Sequence, residues 1–468
     1  MNKAIRLKLF VMMALEFAIW ACWLPLIYKY LPSLGFSPAQ QSWILNAFPI
    51  AAVVGMFFSS QFADRHFSAE KFLAFSHFVG GLALLGLATI KAAAPVAGLA
   101  AGQPNPGAPF WPFFGLMLVY CLLYVPTISI ANSIAFANMK NPQKEFGLVR
   151  VGGTIGWILA AWPFTFILVD WGQVHSILAD WDKLHPDNLH GPVKWLGTVL
   201  GSGLSGQPLQ EATRWTFVVA GIASLVLAGY SLMLPHTPPR KVERGADRFA
   251  WFEAVRLLKH PFVLVLWLVA LVDSFVVYSY FNWTGWFLGA KAEAGGVGIG
   301  GNWIMPVMTI AQVAEGLSML ILGVTLKRLG WRWTMVMGIL GHTALFAVYA
   351  FWPAPFPVIP IQLCHGICYA FFFATVYIFV DEYFPKDVRS SAQGLFNAVI
   401  LGIGPLVANS VCPYLREKTF THDGVTDFHS LFLVPLAAAT LAAVVLALSF
   451  RPPPKKEPAP PTEVALAA

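Results

Sequence analysis

Long uncharged apolar stretches alternate with short polar breaks along almost the whole chain. A helix needs about 20 apolar residues to cross ~30 Å of hydrocarbon. Twelve stretches qualify: 8–30, 42–62, 72–92, 110–136, 149–170, 215–234, 261–288, 303–326, 333–352, 356–381, 391–414 and 429–450. Lipid offers no partners to backbone N–H and C=O groups, so each is predicted as an α-helix, its Pro and Gly interruptions covered by neighbouring helices. Lys3, Arg6 and Lys8 precede the first stretch as in a signal peptide. That run continues to Tyr28 without a small-residue cleavage site, which makes it a first spanning helix. The expected fold class is all-α integral membrane. Residues 1–236 form a first six-helix half, 237–260 a linker, 261–450 a second half and 451–468 a tail.

Composition supports this reading. Of the 468 residues, 57% are hydrophobic, 15% aromatic and only 11% charged, against about a quarter charged in soluble proteins. Net charge is +7, which invites a nucleic-acid reading until the positions are sorted. If the N-terminus is cytoplasmic, 22 of the 30 lysines and arginines fall in segments on that side, and the long outer segments 93–109 and 171–213 contain only Lys183 and Lys194. The basic residues therefore mark topology, with both termini cytoplasmic, and no nucleic-acid partner is expected. The five cysteines lie mostly in apolar stretches; Cys364 and Cys368 are four apart, which fits neither a redox pair nor a zinc site. No G-x-S-x-G, H-E-x-x-H or Walker-type loop occurs, so neither an enzyme nor direct nucleotide coupling is expected, and no cofactor.

Ionisable side chains at mid-membrane cost several kcal/mol and are functional candidates by default. Glu16 (span 1), Arg150 (span 5), Asp273 (span 7), Glu315 (span 8) and His365 (span 10) form that set. Arg150, Thr154 and Trp157 share one helical stripe, giving a cation, a hydroxyl and an aromatic plate. Arg150 could instead be a topology-setting residue at the helix entrance. Gln312 and Glu315 stand i, i+3 on span 8 and offer amide and carboxylate groups to vicinal hydroxyls or a base edge. Glu315 could also exchange a proton, or pair with an arginine to lock two helices. Tyr278 and Asn282 on span 7, and His365, Tyr369 and Phe373 on span 10, supply aromatic faces with polar edges, which suit a planar ring. Glu16 and Asp273 are either proton relays or helix-to-helix hydrogen bonds.

Two six-helix halves about a polar linker are the plan of major-facilitator transporters. The 2–3 loop, with Gln61, Asp64 and Arg65, resembles a degenerate form of that superfamily's G-x-x-x-D-R motif. Further motifs are Trp20-Ala-Cys-Trp23, Tyr124-Val-Pro-Thr127, Arg150 to Trp157, Leu234-Pro-His236, Gln312 to Glu315 and Val388 to Gly394. Through them the chain resembles the nucleoside:proton symporter family. The resemblance implies a bacterial inner-membrane carrier, a monomer in the lipid bilayer, that imports a nucleoside with protons by alternating access. It places Arg150, Thr154 and Trp157 on one wall of the nucleoside site and Gln312 and Glu315 on the other, with Tyr278 and Asn282 as the nearest candidates for its span 7 residues; Tyr369 and Phe373 of the aromatic stripe join the substrate-binding set. The family pattern has an aspartate where this chain has Ala370. Proton coupling then falls to Glu315, with Glu16 or Asp273, or the carrier is an uncoupled facilitator. A carrier of another polyhydroxylated solute, such as a sugar, and a non-transporting sensor with the same fold are the alternatives.

Overall fold

The computed structural model describes residues 3–58, 68–94, 96, 103–139, 142–238, 255–384 and 386–451. Gln61, Asp64 and Arg65 of the loop motif, most of the linker and the tail beyond Arg451 lie outside the described residues. Among the described residues before the linker, the expected spans are α1 (Lys3–Ser33), α2 (Pro38–Phe58), α3 (Ala69–Thr89), α4 (Phe110–Ala137), α5 (Pro142–Ala161) and α6 (Trp215–Ser231). The next is α7 (Pro261–Gly289). It is followed by Gly301–Phe351, a 51-residue element broken at Gly330, whose φ of 71° and ψ of 175° suit glycine alone. At 1.5 Å per residue it is roughly 75 Å long, long enough for two crossings; the part before the break is α8 and the part after it α9. α10 runs through Pro355–Cys368, a π-helical segment Tyr369–Ala374 and Thr375–Tyr383. α11 repeats the design with Lys386–Asn397, a π segment Ala398–Ile403 and Gly404–Tyr414. α12 is Phe428–Ser449.

Among the described residues nine elements are long and apolar enough to cross a membrane, Gly301–Phe351 counted once. α2 packs on α4 and α5 on α1. Two of the boundaries that differ from the sequence expectation have a local reason. α2 starts at Pro38 because Ser37 and Gln40 cap it reciprocally, Ser37 N–H donating to Gln40 Oε1 at 3.0 Å. α5 stops at Ala161 and does not reach 170. Pro163 brings no N–H to a helical ladder, and the chain turns into the short helix Phe164–Ile167.

Close approach within the first half rests on Gly152 and Gly156 of α5. A Cβ at either would strike a carbonyl oxygen of α1, that of Phe10 or Ala14, the small-xxx-small contact of membrane helices. The two groups of six meet through α1 with α7, α2 with α11 and α5 with α8. The described hydrogen bonds across this seam gather at the end opposite the termini. Trp286 Nε1 donates to the Tyr28 carbonyl (3.1 Å), Gln41 Nε2 to Glu417 Oε1 (2.7 Å), Asn46 Nδ2 to Ser410 Oγ (2.9 Å) and Asn409 Nδ2 to the Leu45 carbonyl (3.2 Å). Arg416 lies 4.0 Å over the Trp286 ring.

The segment 171–213 folds on the same end as helices Trp171–Leu184, Pro192–Gly201 and Gly206–Ala212. It is stitched to the start of α8, where Asn302 Nδ2 and Trp303 Nε1 donate to the Leu200 carbonyl at 3.3 and 2.8 Å. Within it, His190 donates its backbone N–H to the Asp182 carboxylate and sets its ring against it (2.9 and 2.7 Å). Those bonds hold the Asp182 carboxyl below its ordinary range.

Candidate functional site

The site is built where α5 of the first half faces α8 of the second. Arg150, Thr154 and Trp157 lie on one stripe of α5. The Arg150 guanidinium rests 4.0 Å over the Phe17 ring of α1, a cation–π contact that holds a half-buried charge without neutralising it. Trp157 meets Trp20 edge-on at 5.3 Å, and Trp20 stacks on Phe48 at 4.8 Å, so the aromatic plate is one end of a row crossing α5, α1 and α2.

Across the seam, Thr154 Cγ2 would stand 3.8 Å from a Cβ placed on Gly316. Thr154 and Glu315 are therefore neighbours through the residue next to Glu315. Arg150 and Glu315 interact electrostatically, yet among the described residues no ion-pair contact closes between them. Tyr369 of α10 feels both charges. Gln312, one turn before Glu315, has a buried Oε1 with no hydrogen-bond partner. A buried amide oxygen left unpaired costs about 1–3 kcal/mol, the condition of a group that awaits a ligand donor. The ensemble offers one cation, one carboxylate, an amide, a hydroxyl and two aromatic faces.

The remaining expected residues are less directly placed. Phe373 is buried behind Tyr369, with ring centroids 5.9 Å apart. Tyr278 is also nearly buried and lines a small void with Trp20, Trp23, Tyr28, Phe48 and Asn409. Asn282 turns its amide to the Tyr278 carbonyl (2.8 Å) and Asn409 Oδ1 (3.2 Å), joining the seam rather than the open site. Ala370 is fully buried in an apolar cluster with Leu322 and Phe371.

Glu16 and Asp273 sit inside their own halves, each against a histidine. Glu16 Oε2 lies 2.8 Å from His77 Nε2, and Asp273 Oδ1 lies 2.8 Å from His342 Nδ1. Sequence reasoning does not single out His77 or His342. Each is a histidine within an apolar stretch, the same signal that marks His365. The first pair is fully enclosed: Thr127 Oγ1 donates to Glu16 Oε1 at 2.7 Å and His77 Nδ1 meets Ser224 Oγ at 3.1 Å. Neither acid touches the Arg150–Glu315 region directly.

Comparison with known proteins shows the family of the chain. The family described as Nucleoside H+ symporter matches residues 1–181 and 189–455. YegT of Escherichia coli (strain K12) is 28% identical over 461 residues, which cover 95% of this chain and 93% of that protein. The xanthosine permease of the same strain is 25% identical, covering 96% of each chain. Crystal structures of the nucleoside transporter NupG, one of them a mutant, superpose with TM-scores of 0.75 and 0.72 at 21% identity, covering 96% of this chain and 100% of each. The fold shared with these structures is the major facilitator fold.

Proposed function

The chain belongs to the nucleoside H+ symporter family, and from that premise we propose that it imports nucleosides with protons by alternating access between two six-helix halves, residues 1–236 and 261–450. Both termini lie in the cytoplasm, the protein works as a monomer in the bacterial inner membrane, and residues 237–260 connect the halves.

The observation that carries this reading is the pair of facing walls from different halves. Arg150, Thr154 and Trp157 come from α5, Gln312 and Glu315 from α8, and Thr154 nearly touches the Gly316 position. A ligand held between them couples the halves, which alternating access requires. Ribose hydroxyls suit the protonated Glu315 carboxyl and the Gln312 amide, whose unpaired Oε1 would accept a donor. Tyr369 and Trp157 present faces for the base, as Tyr278 and Phe373 shape the space behind them. Glu315 is the coupling acid. Protonated, it removes a charge from the site and lets the halves close. Ionised, it interacts with Arg150 and releases its hold on the substrate.

A counterflow assay with labelled uridine in proteoliposomes tests the substrate class. Unlabelled nucleosides should compete and hexoses should not. Competition by hexoses without competition by nucleosides would replace this reading with a sugar carrier.

A further inference from the structure

The second half contains a buried polar chain that the facing walls do not use. Asp273 of α7, His342 of α9 and His365 of α10 are joined in series: Asp273 Oδ1 to His342 Nδ1 at 2.8 Å, and His342 Nε2 to His365 Nδ1 at 3.3 Å. Asp273 and His342 are wholly buried, while His365 keeps 7% exposure. Asp273 Oδ2 is buried with no hydrogen-bond partner.

The first half supplies an internal control. α1, α3 and α4 hold the same places in chain order as α7, α9 and α10, and they bring together Glu16, His77 and Thr127. There every polar atom is used. Both Glu16 oxygens and both His77 nitrogens have partners, and Ser224 closes the far end. That cluster is a lock. In the second half the hydroxyl is replaced by a second imidazole and the carboxylate keeps an open oxygen. A buried carboxylate with one unpaired oxygen is costly if ionised and comfortable if protonated.

We propose that Asp273, His342 and His365 form a second proton-binding site of this carrier, which takes a proton at His365 and stores it on Asp273. With Asp273 ionised, His342 donates Nδ1–H to Oδ1 and accepts Nδ1–H of His365 at its Nε2. A proton arriving at His365 Nε2 displaces the Nδ1 proton to His342 Nε2, and the His342 Nδ1 proton passes to Asp273. One proton enters, both histidines end neutral in the other tautomer, and the net charge of the chain goes from minus one to zero.

The chain reaches the transport site through α10. A Cβ on Gly366, next to His365, would collide with the Ala311 carbonyl oxygen and the Glu315 amide nitrogen, so the two helices touch at the depth of Glu315. His365 itself stacks on Tyr280 of α7 at 3.8 Å and meets Phe281 at 5.7 Å. The other titratable groups around the chain are few. Cys368 of α10 lies within electrostatic reach of Asp273 and donates its thiol to the Gly338 carbonyl. Tyr280 donates to Gln362, which donates to Tyr349. α11 meets α7 here through the Ile400 carbonyl, which accepts from Ser274. α12 contributes one histidine, His429, which bonds the Ala350 carbonyl elsewhere. α8 contributes Glu315.

The proposal rests on the transporter reading for its purpose, but its test needs no substrate. Reconstituted full-length protein is titrated with acid and alkali and followed by infrared difference spectroscopy. The proposal expects a carboxylic-acid C=O band that is lost in Asp273→Asn and kept in Glu16→Gln. In His365→Gln the midpoint of the same band shifts, which also serves if Asp273→Asn does not fold. An unchanged band in Asp273→Asn, or an unchanged midpoint in His365→Gln, overturns it. In the uridine assay, His365→Gln should lose about tenfold or more of uphill accumulation with counterflow retained, since coupling is what the chain provides. Full accumulation in that variant overturns the proposal, while failure of wild-type counterflow would sink only the nucleoside reading.

Discussion

A carboxylate inside a membrane persists when it is fully partnered or has a task, and the three mid-span acids of this chain separate on that criterion. Glu16 has a partner for each oxygen. Asp273 has one oxygen bonded and one bare. Glu315 faces Arg150 without an ion-pair contact. Glu16→Ala should therefore act on stability, because it leaves His77 and Thr127 without their buried acceptor. Breaking such a pair costs about 3–5 kcal/mol, read as a fall in the melting temperature of purified protein; an unchanged melting temperature would contradict the lock. Glu315→Gln should fold normally, keep part of its uridine counterflow and lose uphill uptake. Ala370→Asp would bury a carboxyl among Leu322 and Phe371, so it should lower folded yield rather than restore coupling. The polar walls were legible in the sequence because Arg150, Thr154 and Trp157, or Gln312 and Glu315, share a face within one helix. The histidine pairs were not, because Glu16 and His77, or Asp273 and His342, meet only when separate helices pack.

At the level of elements, apolar length determined the helices and local chemistry moved their ends. Pro163 shortened α5, and the Ser37–Gln40 cap moved the start of α2 to Pro38. The π segments at Tyr369–Ala374 and Ala398–Ile403 had no sequence signal, since an i→i+5 turn is forced by packing rather than by composition. Asn282 shows the same limit. Its helical position matched the substrate face, and the amide nonetheless turned to Asn409. The α1–α5 contact makes a sharp prediction. Gly156→Leu must push α1 away from α5 because even a Cβ strikes Ala14. Overpacking of this kind typically costs about 1–3 kcal/mol and should reduce folded yield and shift Arg150 from Phe17. Wild-type yield and uptake in that variant would contradict the close approach.

On the scale of the whole molecule, the structure is closed at the end opposite the termini. Trp286, Gln41, Asn46 and Asn409 join the halves there, and the segment 171–213 is fastened to α8 beside them. Asn409→Ala removes hydrogen bonds to Asn282 and Leu45 and should raise labelling of an engineered cysteine at Trp157 from the outer side; equal labelling would argue that the seal lies elsewhere. The central claim is that substrate and proton move together through walls supplied by the two halves. Substrate-driven proton movement in proteoliposomes, read with an internal pH dye on uridine addition, tests it most directly. Wild-type protein should carry protons inward with uridine, and Glu315→Gln should exchange uridine with no pH change. Uridine entry without proton movement in the wild type, or undiminished proton movement in Glu315→Gln, would contradict the account.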